Sequence, residues 1–141
     1  GGTSNCSVAI SGQPIGSPVV DHPDVLVAFN RPSLEKFAPT VKKGGLILYD
    51  SQAGSFQAPD GVRAISVPAT GIAEERGTPQ AANTAMLGAL MQTGNLGLPG
   101  EAYGNAFRET FAKKPKLITK NLDILEAGAQ AARVLEMSSK K

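Results

Sequence analysis

At 141 residues and a formal net charge of +2, the chain has room for one domain with one core, and too little excess basic charge to make nucleic acid or an anionic membrane its main partner. One cysteine excludes an intrachain disulfide, and one cysteine with one histidine leave too few soft ligands for a zinc site or an iron–sulfur cluster within the chain. The composition, 41% hydrophobic and 18% charged, is globular, and with 5% aromatics and no Trp the core has to be built from Ala, Val, Leu and Ile.

In chain order, "TSNCSVAIS" alternates, with Cys6, Val8 and Ile10 on one face and Asn5, Ser7 and Ala9 on the other, which predicts a half-buried strand. Cys6 then reads as a small buried hydrophobe. A nucleophile would need a base nearby, and the single histidine, His22, sits in a Pro-bounded loop. After the turn-rich "GQPIGSPVVDHP" comes "DVLVAFN", residues 24–30, a continuous apolar run of the kind that is covered on both faces in a parallel sheet. Pro32 is well placed at the start of a helix through "RPSLEKFAPTV". "KKGGLILYDS" repeats the theme, with a buried strand over Leu46–Tyr49 that ends in Asp50 and Ser51, and "GVRAISVPAT" predicts a third strand over 62–67.

The second half is helical. "ATGIAEERG" is a short helix closed by Gly77, and "TPQAANTAMLGALMQTG" offers Thr78 as an N-cap and Pro79 at the first helical position. That helix is apolar nearly all round and hence buried, with a small-residue face of Ala82, Ala85, Gly88 and Ala89 that suits close packing within the subunit or, alternatively, an interface. An amphipathic helix follows from about Gly100 to Phe111, with Pro115 as its stop. The last helix runs through "KNLDILEAGAQAARVLEMSSKK", its final Lys pair reading as a frayed tail, and Gly128 is tolerable if something packs closely against it. The lysines of "KKPKLITK" read as a solvated helix start. No apolar run approaches the roughly 20 residues of a membrane span.

The β segments end in small polar residues, Asn30, Asp50 with Ser51, and Thr70. In an open α/β sheet, ligands bind beyond the carboxyl ends of the strands. Neither GxGxxG nor GxxxxGK[ST] occurs, so the nucleotide fingerprints are missing. The candidate acid–base pairs are weak: Glu74 and Glu75 are adjacent on one short helix, and Asp50 with His22 works only if the fold unites them. A stand-alone α/β cofactor-binding enzyme with a pocket at the strand ends is therefore the alternative reading.

The blocks "GGTSNCSVAIS", "PIGSPVVDHPDVLVAFNRPSLEKFAPTVKKGGLILYDS", "PATGIAEERG" and "AANTAMLGAL" resemble, in order and over nearly the whole chain, the gamma subunit or domain of 2-oxoacid:ferredoxin (flavodoxin) oxidoreductases. The resemblance implies one gamma-type α/β domain over residues 1–141, Rossmann-like, with an open, mostly parallel sheet covered by helices. Because the family's domain opens with a strand–turn–helix before its Gly-Gly-Thr, it also implies that Gly1-Gly2 is native and that this stretch lacks the first βα unit. By the same resemblance the chain is a non-catalytic part of an enzyme that oxidatively decarboxylates a 2-oxoacid, such as pyruvate or 2-oxoglutarate, to an acyl-CoA. The expected partners are alpha and beta thiamine-binding subunits, a ferredoxin-like subunit, and ferredoxin or flavodoxin. Thiamine diphosphate, Mg and 4Fe–4S clusters are carried by the complex and not by this chain, with coenzyme A as substrate, in the cytoplasm. A coenzyme A contact, if present, falls to the Gly-rich Gly1, Gly2, Thr3, Ser4 and Asn5, whose backbone N–H groups and side chains can face phosphate oxygens, then to Asn30 and Arg31 at a strand end. Ordinary turn chemistry and capping is the competing role for all of them.

Overall fold

The computed structural model describes residues 4–17 and 19–138. Three strands, β1 (Val25–Ala28), β2 (Leu46–Asp50) and β3 (Arg63–Val67), form a parallel sheet in the order β1-β2-β3. The register sets Leu26 against Ile47 and Ile47 against Ala64, so the even-numbered positions of β1 and β3 share a face with the odd-numbered positions of β2. β2 lies in the middle and is buried along its whole length, as its continuous apolar run predicts.

The alternation along β2 divides the core in two. Leu46 and Leu48 point with Ile65 and Val67 into a cluster completed by Ile72, Ala85, Met86, Ala89, Ile124 and Ala132. These belong to α2 (Ala69–Glu75), α3 (Ala82–Thr93) and α5 (Pro115–Ser138). Ile47 and Tyr49 point the other way, onto Leu34, Ala38, Val41 and Ala53. α1 (Arg31–Phe37) supplies Leu34 and is the β1–β2 crossover. The β2–β3 crossover has no α-helix. Its single 3₁₀ turn, Ser51–Ala53, and Phe56, whose ring meets Tyr49 edge-on at 5.7 Å, cover the sheet in its place.

The longest packing contact is between α3 and α5. A Cβ added at Gly88 would lie 1.8 Å from the Leu125 carbonyl oxygen, and one added at Gly128 would lie 1.8 Å from that of Ala85. The two glycines face each other's helix reciprocally, so backbone meets backbone. The small-residue face of α3 is thus spent inside the chain, and Gly128 has the close neighbour its mid-helix position calls for. Nearby, the buried Thr84 hydroxyl donates to the Asn121 side-chain oxygen at 3.0 Å, and the Asn121 amide donates to the Leu117 carbonyl at 2.8 Å.

Several expectations change. The strand expected around Cys6–Ile10 does not form, and Cys6 is exposed, not buried. A strand is held by its ladder, and residues 4–17 make only local turns, such as Gln13 N–H onto the Ser11 hydroxyl. Val8 and Ile10 are consequently 78% and 61% exposed. Thr78 does not cap α3. A 3₁₀ turn, Pro79–Ala81, intervenes, and the Thr78 hydroxyl donates to the Arg76 carbonyl instead. Pro115 does not stop α4 (Gly100–Thr110), which has already ended. It opens α5, where a proline's missing N–H costs nothing.

Candidate functional site at the carboxyl ends of the strands

The polar residues that close the three strands fall at one edge of the sheet, and each has a definite local task. Asn30, just past the end of β1, is extended and caps α1, its side-chain oxygen accepting from Ser33 N–H at 2.9 Å. Arg31 follows on the first turn. Its Nε donates to Glu35 Oε1 at 2.6 Å, and a terminal nitrogen donates to the Ser55 carbonyl, so the guanidinium ties α1 to the loop after β2. The pair is half-exposed, which limits it to at most about 1 kcal/mol.

Asp50 is the most constrained of the set. Its side chain is fully buried at the end of β2. Oδ1 accepts from Gln52 N–H at 3.0 Å, while Oδ2 accepts both the backbone N–H of Thr70 at 2.9 Å and its hydroxyl at 2.6 Å. A buried carboxylate is tolerated only with such partners. Because Thr70 lies in the first turn of α2, the carboxylate clamps the end of β2 to the helix that follows β3. Asp50 and Thr70 are brought together as strand-end polar residues should be, but onto each other.

Asp50 and His22 are not brought together. His22 Nδ1 lies 3.2 Å from the Thr40 carbonyl on the exposed side of the loop, and both Asp50 oxygens are engaged as above. Glu75 reaches toward Arg76 at 3.9 Å, and Arg76 in turn pairs with Asp123 at 2.9 Å. No acid–base pair faces a common cavity at these positions. Among the described residues no group of three or more His, Cys, Asp or Glu is placed to hold a metal ion, and no helix is long and apolar enough to cross a membrane.

Two open grooves lie on the surface, the first between the end of α1 and the β2–β3 crossover, the second beside the residues that follow β3. One, of about 350 Å³, is lined by Glu35, Ala38, Pro39, Phe56 and Pro59 and is bordered by the Arg31–Glu35 pair. The other, of about 370 Å³, lies between α2 and α5 beside Ile72, Arg76 and Ala131. Of the residues singled out from the sequence, Gly1, Gly2 and Thr3, and the final Lys pair, lie outside the described residues. Ser4 and Asn5 are exposed, and Asn30 and Arg31 stand together just past β1, where Arg31 pairs with Glu35 of the first groove's lining. The clamp role of Asp50 and Thr70 is missed by sequence reasoning, because twenty residues separate them and only the parallel β2–β3 pairing unites them.

An open parallel sheet with helices on both faces and polar residues just past its strands defines an α/β domain. Residues 1–131 match the model of the pyruvate ferredoxin/flavodoxin oxidoreductase family, and the chain belongs to that family. It is 56% identical over 133 residues to the ketoisovalerate oxidoreductase subunit VorA of Methanothermobacter marburgensis, a match over 94% of this chain and 28% of that protein. It is 34% identical over 138 residues to the 2-oxoglutarate synthase subunit KorC of Methanocaldococcus jannaschii, covering 96% of this chain and 72% of KorC. The chain therefore spans under a third of the length of the VorA relative. Among solved structures, the 2-oxoglutarate:ferredoxin oxidoreductase of Magnetococcus marinus, with 2-oxoglutarate, coenzyme A and succinyl-CoA bound, superposes with a TM-score of 0.69 at 28% identity, over 79% of this chain and 20% of that one. The gamma subunit of a keto/oxoacid ferredoxin oxidoreductase from Geobacter sulfurreducens has the same fold, with a TM-score of 0.66 at 21% identity over 79% of this chain and 64% of its own.

Proposed function

We propose that this chain is the gamma-type, non-catalytic domain of a thiamine-diphosphate-dependent 2-oxoacid:ferredoxin oxidoreductase, in which it holds the assembly together and borders the path of coenzyme A. The observation that carries the reading is the family match over residues 1–131, joined by similarity over 94% and 96% of the chain to subunits of two enzymes named for different 2-oxoacids. One domain shared by enzymes of different substrates is not where the 2-oxoacid is chosen. Decarboxylation on thiamine diphosphate with Mg and electron transfer through 4Fe–4S clusters belong to the partners, here alpha and beta thiamine-binding subunits and a ferredoxin-like subunit. A single exposed cysteine does not fit a cluster on this chain. The complex works in the cytoplasm and delivers electrons to ferredoxin or flavodoxin.

Coenzyme A is a different matter, because groups on this chain suit its phosphates. Arg31 is half-exposed and held by a surface pair with Glu35 and a hydrogen bond to the exposed Ser55 carbonyl, so its fork can turn to a phosphate at modest cost. Gly1, Gly2, Thr3, Ser4 and Asn5 supply backbone and side-chain donors, and Asn30 fixes the helix start that carries Arg31. The bound coenzyme A in the Magnetococcus marinus enzyme supports placing this ligand in the assembly.

The test is affinity purification, under anaerobic conditions, of the full-length native polypeptide that contains this chain. Thiamine diphosphate and iron–sulfur absorbance are expected to co-elute with partner subunits. Elution alone and colourless would refute the assembly role. In the purified complex, Arg31→Ala is expected to raise the half-saturating coenzyme A concentration roughly three- to tenfold. An unchanged value would leave the domain an assembly module without a coenzyme A contact.

A further inference from the structure

We infer that the corner where α4 runs into α5 is a docking surface for an acidic protein face. The inference rests on the proposed place of the chain in a multi-subunit assembly. From Phe107 to Lys116 the cations Arg108, Lys113, Lys114 and Lys116 stand against one anion, Glu109, so the segment is net +3. The chain as a whole is +2, which leaves everything outside that segment at net −1. All four cations are exposed.

Elsewhere Arg31, Lys42 and Arg76 are answered by Glu35, Asp24 and Asp123, while the cations without an ion pair among the described residues, Lys36, Lys43, Lys120 and Arg133, are scattered over the surface and not clustered. At this corner, among the described residues, Arg108 has only the neutral Asn105 side chain, at 3.0 Å. Among the described residues Lys113, Lys114 and Lys116 have no ion pair or side-chain hydrogen bond. The first turn of α5 holds no acidic residue either, so Glu109 is the one anion set against the four cations within the segment. Surface charge in a domain that faces only water is normally interspersed by sign, and a segment that breaks such a rule without local compensation marks a place where something else supplies it.

An apolar element sits inside the same segment. Phe107 and Phe111 stack with ring centroids 6.0 Å apart and planes 9° from parallel, and both are half-buried. A partly exposed aromatic pair flanked by cations has the anatomy of a protein interface, with an aromatic centre and a charged rim. Four cations are few for nucleic acid, whose protein partners commonly neutralise about six to ten phosphates. The partner that fits is a protein face rich in Asp and Glu around a small apolar centre.

The experiment is lysine footprinting on the complete purified complex. Its lysines are acetylated with N-hydroxysuccinimidyl acetate, and rates are read peptide by peptide against the same complex after denaturation. In parallel, a water-soluble carbodiimide joins lysine amines to carboxylates that touch them. The expected result is that Lys113, Lys114 and Lys116 react roughly fivefold more slowly than in the denatured complex. They should also cross-link to Asp or Glu of another subunit, and the triple variant K113E/K114E/K116E should release that subunit at low salt. These positions are exposed, so the variant keeps its fold, checked by circular dichroism. If the complex is intact but the three lysines react as in the denatured chain, the inference is overturned and the assembly role stands. Protection abolished by nuclease, or cross-links only within the chain, overturns it as well. Failure of the chain to enter any complex overturns the assembly role and this inference with it.

Discussion

Gly128→Ala tests the architecture most directly. In an isolated helix the change would help, since alanine is favoured over glycine by about 1 kcal/mol. Here the new Cβ would fall 1.8 Å from the Ala85 oxygen, 2.6 Å from its carbonyl carbon and 2.9 Å from its Cα. All three are backbone atoms, so no rotamer change relieves the contact. Carbon and oxygen approach to about 3.3 Å at closest, so α5 must withdraw from α3 by roughly 1.5 Å. That loosens Ala85, Met86, Ala89, Ile124, Ala129 and Ala132, all buried at or beside this crossing. Overpacking typically costs about 1–3 kcal/mol, more where backbone has to move. Taking the upper end of that range, about 3 kcal/mol, less the propensity gain of about 1 kcal/mol, the expected net loss is about 2 kcal/mol. For a domain of this size that lowers the melting temperature by roughly 6–8 °C, measured by circular dichroism on purified protein. Gly104→Ala is the control. Its Cβ meets only the flexible Arg108 guanidinium, at 3.3 Å, so it is expected to stabilise by about 0.5–1 kcal/mol. A Gly128→Ala protein as stable as its parent would refute the close crossing.

The other predictions concern the strand ends and the leading segment. Asp50→Asn turns an acceptor into an amide that faces the Thr70 N–H with a donor, and is expected to cost about 2–3 kcal/mol in denaturant unfolding. A loss below about 0.5 kcal/mol would mean that the clamp is not formed. Asn30→Ala removes the cap of α1 and is expected to cost about 1 kcal/mol by the same assay, with Asn30→Ser close to neutral. Val8→Ser with Ile10→Ser removes side chains that are 78% and 61% exposed, so it is expected to change the stability of this domain by less than about 0.5 kcal/mol. A larger loss in thermal melts would restore the buried strand that the sequence pattern suggests.

What could be read from the sequence follows from how local each cause is. β2 is legible because a strand covered on both faces must be apolar along its length, and "LILY" is; all of Leu46–Asp50 is buried. α1 was legible because Pro32 lies within two residues of a capping asparagine. The segment around Cys6–Ile10 misled for the complementary reason. Alternation records which residues would share a face if a ladder existed, and carries no information about whether a neighbouring strand is there to pair with. Pro115 misled because one residue can both follow a helix and open the next, and only the position of the turn before it decides.

The strand-end site shows the same limit in sharper form. Asn30, Asp50 and Thr70 were visible as polar residues closing apolar runs, and position alone makes each a pocket candidate. Asp50 and Thr70, however, meet across two parallel strands and the start of a helix, and the 2.6 Å hydroxyl bond between them consumes the chemistry that a ligand would have used. A strand-end carboxylate that is buried and fully bonded is a structural member. One that is left open is a reagent, and sequence does not distinguish them. Arg31 is the residue that stays available, because its partners are exposed and weak. The coenzyme A reading is therefore placed on a guanidinium that can let go of Glu35, and not on the more deeply held Asp50.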